Sequence, residues 1–190
     1  MDVGGTDRSG WYMRFERRRA REAAMRALYQ MDMSGCSPEW AVAFAVNDSA
    51  DLDLPERARS YAVELVMGAV ERIREIDEIM TGLSHDWAVS RMSPTDRNIM
   101  RIAVWEMLYL KDVPVAAAID EAVEIAKLYG TADSPRFVNG ILGALAERIK
   151  DGQASAGEPV GGEEGDGEEA KGGAVGRDHG ESYESGDTWS

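Results

Sequence analysis

Four arginines, Arg14, Arg17, Arg18 and Arg21, follow the spacing i, i+3, i+4, i+7. At 100° per residue a helix gathers them within about 100° of one another. Guanidinium groups fork onto phosphate oxygens and stack on unpaired bases, and Tyr29, which projects to the same side, adds a ring for stacking. Like charges so placed repel by about a few tenths of a kcal/mol per neighbouring pair. Glu16 and Glu22 relieve this only in part, whereas a polyanion removes it. The first turn of such a helix also offers unpaired N–H groups to a phosphate. Arg19 points elsewhere and reaches a ligand only if the ligand wraps or the helix start frays. The same spacing equally fits a solvated face whose arginines pair with acids on a neighbouring helix.

Other residue types capable of chemistry are sparse. Asp120, Glu121 and Glu124 suggest paired carboxylates, yet no histidine or second acidic cluster stands near them in sequence, so they read as solvated helix charges. The imidazoles are those of His85 and His179. The chain has no His-Glu-x-x-His, no glycine-rich phosphate loop and no nucleophile elbow. The expectation is a protein without catalysis, metal or cofactor. Cys36 is the single cysteine, which excludes an intramolecular disulfide framework and makes a reducing, cytoplasmic setting the default.

The distribution of charge supports a confined anion contact. The 190 residues carry a net charge of −14. Residues 8–26 nevertheless hold seven arginines against two glutamates, while residues 151–190 hold eleven acids, two bases and eleven of the twenty glycines. Three regions follow: a flexible N-terminus over 1–10, one domain over 11–150, and a disordered acidic tail over 151–190 that buries too little apolar surface to offset its ordering entropy. An acidic body restricts RNA to one face, and the tail could compete with RNA for the arginines. The longest apolar runs, Ala41–Val46 and Val113–Ile119, are too short to span a bilayer, and no secretory signal follows the basic start.

The elements that must position these residues all read as helix. Ala20, Ala24, Ala27, Leu28 and Met31 place an apolar stripe beside the arginines over 13–33. A short helix is expected over Pro38–Val46. A long central helix of about 25 residues follows Pro55, its face running through Ala58, Ala62, Leu65, Ala69, Ile73, Ile76 and Met80. Ser93-Pro94-Thr95-Asp96 combines a capping hydroxyl, a proline in the first turn and an acid beyond it. Pro114 opens the next helix, which stops at Gly130. Ser134-Pro135 repeats the cap-and-proline device ahead of Phe137, Val138, Ile141, Leu142 and Leu145. With no period-2 alternation or hairpin signal, the expectation is an all-α bundle of six or seven helices.

These residues resemble a known family in four places. Arg17-Arg18-Arg19-Ala20-Arg21-Glu22 with Ala27-Leu28-Tyr29 is similar to the N-terminal signature of NusB, the bacterial transcription antitermination family. Arg101-Ile102-Ala103 with Glu106-Met107-Leu108 is similar to its fifth-helix region. Asp112-Val113-Pro114 and Ala118–Lys127 resemble the stretch after it, and Asp133-Ser134 with Arg136–Leu142 resembles its KFVNGVL-type ending. The resemblance spans Glu16 to Ile149.

The resemblance implies a cytoplasmic protein, not an enzyme. It would bind boxA-type single-stranded RNA of nascent ribosomal RNA transcripts together with NusE, a small-subunit ribosomal protein, and help RNA polymerase read through terminators. It implies RNA contacts at Arg17, Arg18, Arg19, Arg21, Tyr29, Phe137 and Asn139, with Asp133 just before them. It implies NusE contacts at Asp96, where the family often has Glu, and at Arg101 and Glu106. Pattern alone favours the core for Phe137, and the resemblance brings a stacking role against RNA level with it. A homodimer that hides the RNA face and a helical protein-interaction module without RNA preference remain alternatives. The tail departs from the compact family pattern, and Trp105 replaces a smaller aromatic.

Overall fold

A computed structural model describes residues 8–47, 54–84 and 88–154, with side chains from Met13 onward. The expected flexibility of residues 1–7 and disorder of the tail from residue 155 lie outside the described residues, as do His85 and His179.

The described residues form seven α-helices and a 3₁₀ turn, with no strand among them. In order these are α1 (Arg8–Ser34), α2 (Pro38–Asn47), α3 (Glu56–Glu71), α4 (Ile73–Leu83), the turn Val89–Arg91, α5 (Pro94–Tyr109), α6 (Val115–Tyr129) and α7 (Ser134–Lys150). The all-α expectation therefore holds. α1 starts at Arg8, inside the stretch expected to be flexible.

The long helix expected after Pro55 is two helices that meet at Arg72, whose backbone (φ −110°, ψ 15°) leaves helical geometry. No proline or glycine marks the joint; the cause is tertiary. α3 packs on α1, α2 and α5, whereas α4 packs on α5 and α7, and a single straight rod cannot follow both courses. Side chains span the joint: the Arg72 guanidinium sits 5.3 Å from the Tyr109 ring centroid, and the Tyr109 hydroxyl donates to Glu75. One turn earlier, Gly68 lets α5 approach. A Cβ there would fall 2.1 Å from Cζ2 of Trp105, so the larger aromatic at 105 is accommodated by a missing methyl.

The centre of the bundle is α5 rather than the segment after Pro55. Every residue from Asn98 to Met107 is buried, and α5 touches α1, α3, α4, α6 and α7. A helix buried on all sides must satisfy its polar groups internally, and that requirement builds the ion pairs described below. Its start follows the sequence: the Ser93 hydroxyl accepts from the Asp96 amide at 3.0 Å, with Pro94 in the first turn.

The second cap-and-proline device works differently. α7 already includes Ser134, which is 1% exposed, and its hydroxyl turns back to accept from the Thr131 amide at 2.8 Å. At the other end, Gly152 has φ +70°. Its amide donates to Ile149 and that of Gln153 to Arg148, at 3.1 and 2.8 Å, the double bond of a Schellman cap. Ala154 is buried just beyond, so the fold extends four residues past the boundary expected at 150.

Candidate nucleic-acid interface

The Arg stripe lies where α1 passes α5 and α6, and its arginines differ sharply in setting. Arg21 is 5% exposed. Its Nε donates to both oxygens of Glu106, at 2.9 and 3.0 Å, and Glu106 is fully buried on α5. The Tyr61 hydroxyl of α3 also donates to Glu106, and the Arg21 guanidinium lies 5.8 Å from the Tyr61 ring centroid. Burial works against the charge on Arg21, yet the Glu106 carboxylate outweighs it and holds the guanidinium protonated above its usual range. Burial, reinforced by Glu106, pushes the Tyr61 phenol well above its ordinary value, so it acts as a hydroxyl donor.

Arg18 is half-buried and meets Glu121 of α6 through two bonds, Nε to Oε2 at 2.6 Å and Nη2 to Oε1 at 3.1 Å. The hydrogen bond that Arg18 donates to Glu121 is the main reason its affinity for the proton rises. Arg17 bonds Asp112, in the loop after α5, at 2.6 Å and lies 5.1 Å from the Tyr61 ring centroid. Arg19 lies 5.7 Å from the ring centroid of exposed Phe15. Arg14 is exposed and, with Phe15, Arg18 and Glu121, lines a shallow depression. Further along α1, Arg26 donates to the Tyr129 hydroxyl at 3.1 Å, which donates in turn to Glu22 at 3.2 Å. The backbones of α1 and α6 make little direct approach; arginine side chains bridge them.

Two expectations thus merge on this face. The stripe exists, and Arg17, Arg18 and Arg21 pair with acids on α5, on α6 and in the loop between them. Arg21 is corrected from an RNA contact to an interior cation, because it is buried and its Nε donates to a buried carboxylate. Glu121 is corrected from a solvated charge to a half of two ion pairs, since Arg21 Nη1 also stands 4.0 Å from its Oε2. Both positions were readable: Arg21 falls on the stripe of Ala20, Ala24 and Leu28, and Glu121 on that of Ala118, Ala122 and Ile125. Asp112, Tyr61, Arg26 and Tyr129 carried no sequence signal that linked them to the stripe.

Of the other expected RNA residues, Tyr29 is 38% exposed on α1. Asn139 is exposed on α7. Phe137 is half-buried against the core. The helix that carries both, α7, packs mainly on α6 and α5.

The three residues expected to meet NusE are all buried. Glu106 is the core partner of Arg21. Arg101 is 7% exposed and forks onto Asp77 of α4 at 2.8 and 2.7 Å while reaching Asp32 of α1 at 3.2 Å. Glu106 and Arg101 are therefore corrected from a docking surface to bonds that tie helices together. Asp96 is 7% exposed, and its Oδ1 has no hydrogen-bond partner among the described residues. Asp32 also accepts from Arg97 at 2.7 Å and Asn98 at 2.9 Å. Burial alone would raise the Asp32 carboxyl, but these donors and the Arg101 charge hold it below its ordinary value.

Such a bundle, with an Arg-rich first helix held by α5 and α6, defines an all-α class. The NusB family model matches residues 18–147, and the chain belongs to the NusB family. The transcription antitermination protein NusB of Symbiobacterium thermophilum is 44% identical over 149 residues, covering 76% of this chain and 97% of that protein. Its counterpart in Desulforamulus reducens is 41% identical over 131 residues, 69% and 90% of the two chains. Among solved structures, T. maritima NusB superposes with a TM-score of 0.64 at 36% identity, covering 69% of this chain and 90% of that one. A NusB chain solved with NusE and double-stranded RNA superposes at 0.64 with 29% identity, covering 70% and 97%. Among the described residues no helix is long and apolar enough to cross a membrane.

Proposed function

We infer that this chain is a transcription antitermination factor, which binds boxA-type single-stranded RNA in nascent ribosomal RNA transcripts together with NusE and promotes read-through by RNA polymerase. It acts in the cytoplasm and without catalysis. The observation that carries the reading is the Arg-rich face of α1 within a chain that belongs to the NusB family. Support for the partners comes from the related NusB solved with NusE and RNA.

The RNA contacts are assigned to Arg14, Arg17, Arg18 and Arg19 on α1, joined by Tyr29, Phe137 and Asn139, while Arg21 holds the helix that presents them. The NusE contact rests on family membership rather than on Asp96, Arg101 or Glu106, whose side chains are buried.

The test is a titration with a short boxA-like RNA, with NusE, and with both. NusE is expected to tighten RNA binding, and RNA to tighten NusE binding by the same factor. The double variant Arg17→Ala, Arg18→Ala should weaken RNA binding at least about tenfold, each phosphate contact being a charge-assisted hydrogen bond, with helicity unchanged. Equal affinity for boxA-like and scrambled RNA in the presence of NusE would replace this reading with that of a protein-interaction module.

A further inference from the structure

The ion pairs of the Arg stripe differ in how readily they open. The Arg21–Glu106 pair is sealed, with side-chain exposures of 6% and 1%. The Arg18–Glu121 pair has one accessible member, Arg18 at 35%, and one nearly enclosed member, Glu121 at 11%. Glu121 occupies Nε and Nη2 of Arg18, the same edge of the guanidinium that a phosphate grips in a two-point fork. A phosphate can use that edge only after the carboxylate has left it.

The departure of Arg18 would not strand Glu121. Arg21 Nη1 already stands 4.0 Å from Glu121 Oε2, so Arg21 can bridge Glu106 and Glu121 and keep the enclosed carboxylate paired. The exposed depression lined by Arg14, Phe15, Arg18 and Glu121 lets an incoming phosphate meet Arg14 beside the pair. Arg17 repeats the arrangement more loosely, through one bond to Asp112, a residue 63% exposed.

We propose that Glu121, and more weakly Asp112, are phosphate-competing residues: in the free protein they occupy Arg18 and Arg17 as a phosphate would, and RNA binds by displacing them. This rests on the RNA-binding reading above. The exchange costs the same for every RNA that engages Arg18. It therefore leaves the ratio between cognate and arbitrary RNA unchanged while lowering both affinities. Arbitrary RNA, held by phosphate contacts alone, falls below a useful affinity first; boxA RNA retains its base contacts and the help of NusE.

The measurement is RNA affinity of the full chain, with and without NusE, for boxA-like and scrambled single strands. Glu121→Gln should tighten both by a similar factor, about 5- to 20-fold, since a charged partner becomes a neutral one. In an Arg18→Ala background the same change should give no gain, which closes a double-mutant cycle on the pair. Asp112→Asn lies on an exposed pair whose loss leaves the fold intact, and should tighten binding about 2- to 3-fold, dependent on Arg17. Weaker binding by Glu121→Gln, a gain that persists without Arg18, or no effect of either variant where Arg18→Ala weakens binding would overturn the proposal alone. Absence of RNA binding by every form, with NusE present, overturns the proposed function and this inference with it.

Discussion

Arg21→Met separates a structural role for this arginine from a direct one at RNA. Methionine keeps a linear stem but removes the charge that faces Glu106, leaving a carboxylate with no exposure and only the Tyr61 hydroxyl as donor. Stranding half of a buried pair typically costs about 3–5 kcal/mol. Urea unfolding followed by circular dichroism should therefore show a loss of about 3–5 kcal/mol at pH 7. With a slope of about 2 kcal/mol per molar, the midpoint drops by about 1.5–2.5 M. A loss under about 1 kcal/mol would refute the assignment.

Two further outcomes follow from the packing. Gly68→Ala places a methyl against the Trp105 ring, and overpacking of this kind costs about 1–3 kcal/mol; a thermal melt should show a Tm lower by about 3–10 °C, and an unchanged Tm would mean that α3 and α5 have room to part. Asp32→Asn removes the carboxylate that accepts from Arg97, Arg101 and Asn98. Its folded value lies below the ordinary 3.8, so its contribution is present above about pH 4 and fades as the pH falls through the lower folded value. The variant should be less stable than the parent by denaturant titration at pH 7, with the gap narrowing below pH 4; a gap independent of pH counts against the pairing.

Helix identity was readable where periodicity and punctuation agreed, as at Ser93-Pro94 and Pro114. It failed at Arg72, where the packing partners differ on either side of the joint. The choice of central helix failed for a related reason. Asn98, Arg101 and Glu106 look like surface residues when burial is judged by residue type, and only their partners on α1, α3 and α4 make an all-buried α5 affordable in free energy. The Arg stripe was readable as a stripe, and Arg21 falls on the apolar face; the acids that pair Arg21 inside and Arg18 at the edge stand 85 and 103 residues away, a distance that no local pattern spans.

The pairing of three successive stripe arginines with Asp112, Glu121 and Glu106 also bears on how fast RNA arrives. Beyond a Debye length, about 8 Å at physiological ionic strength, a bonded arginine and carboxylate act as a weak dipole rather than a charge. Long-range attraction follows net charge, so this face draws RNA from solution far less than its run of arginines suggests. Capture is then set by collisions that already place a phosphate at the helix, and the association rate constant should vary little with salt even where the dissociation rate does.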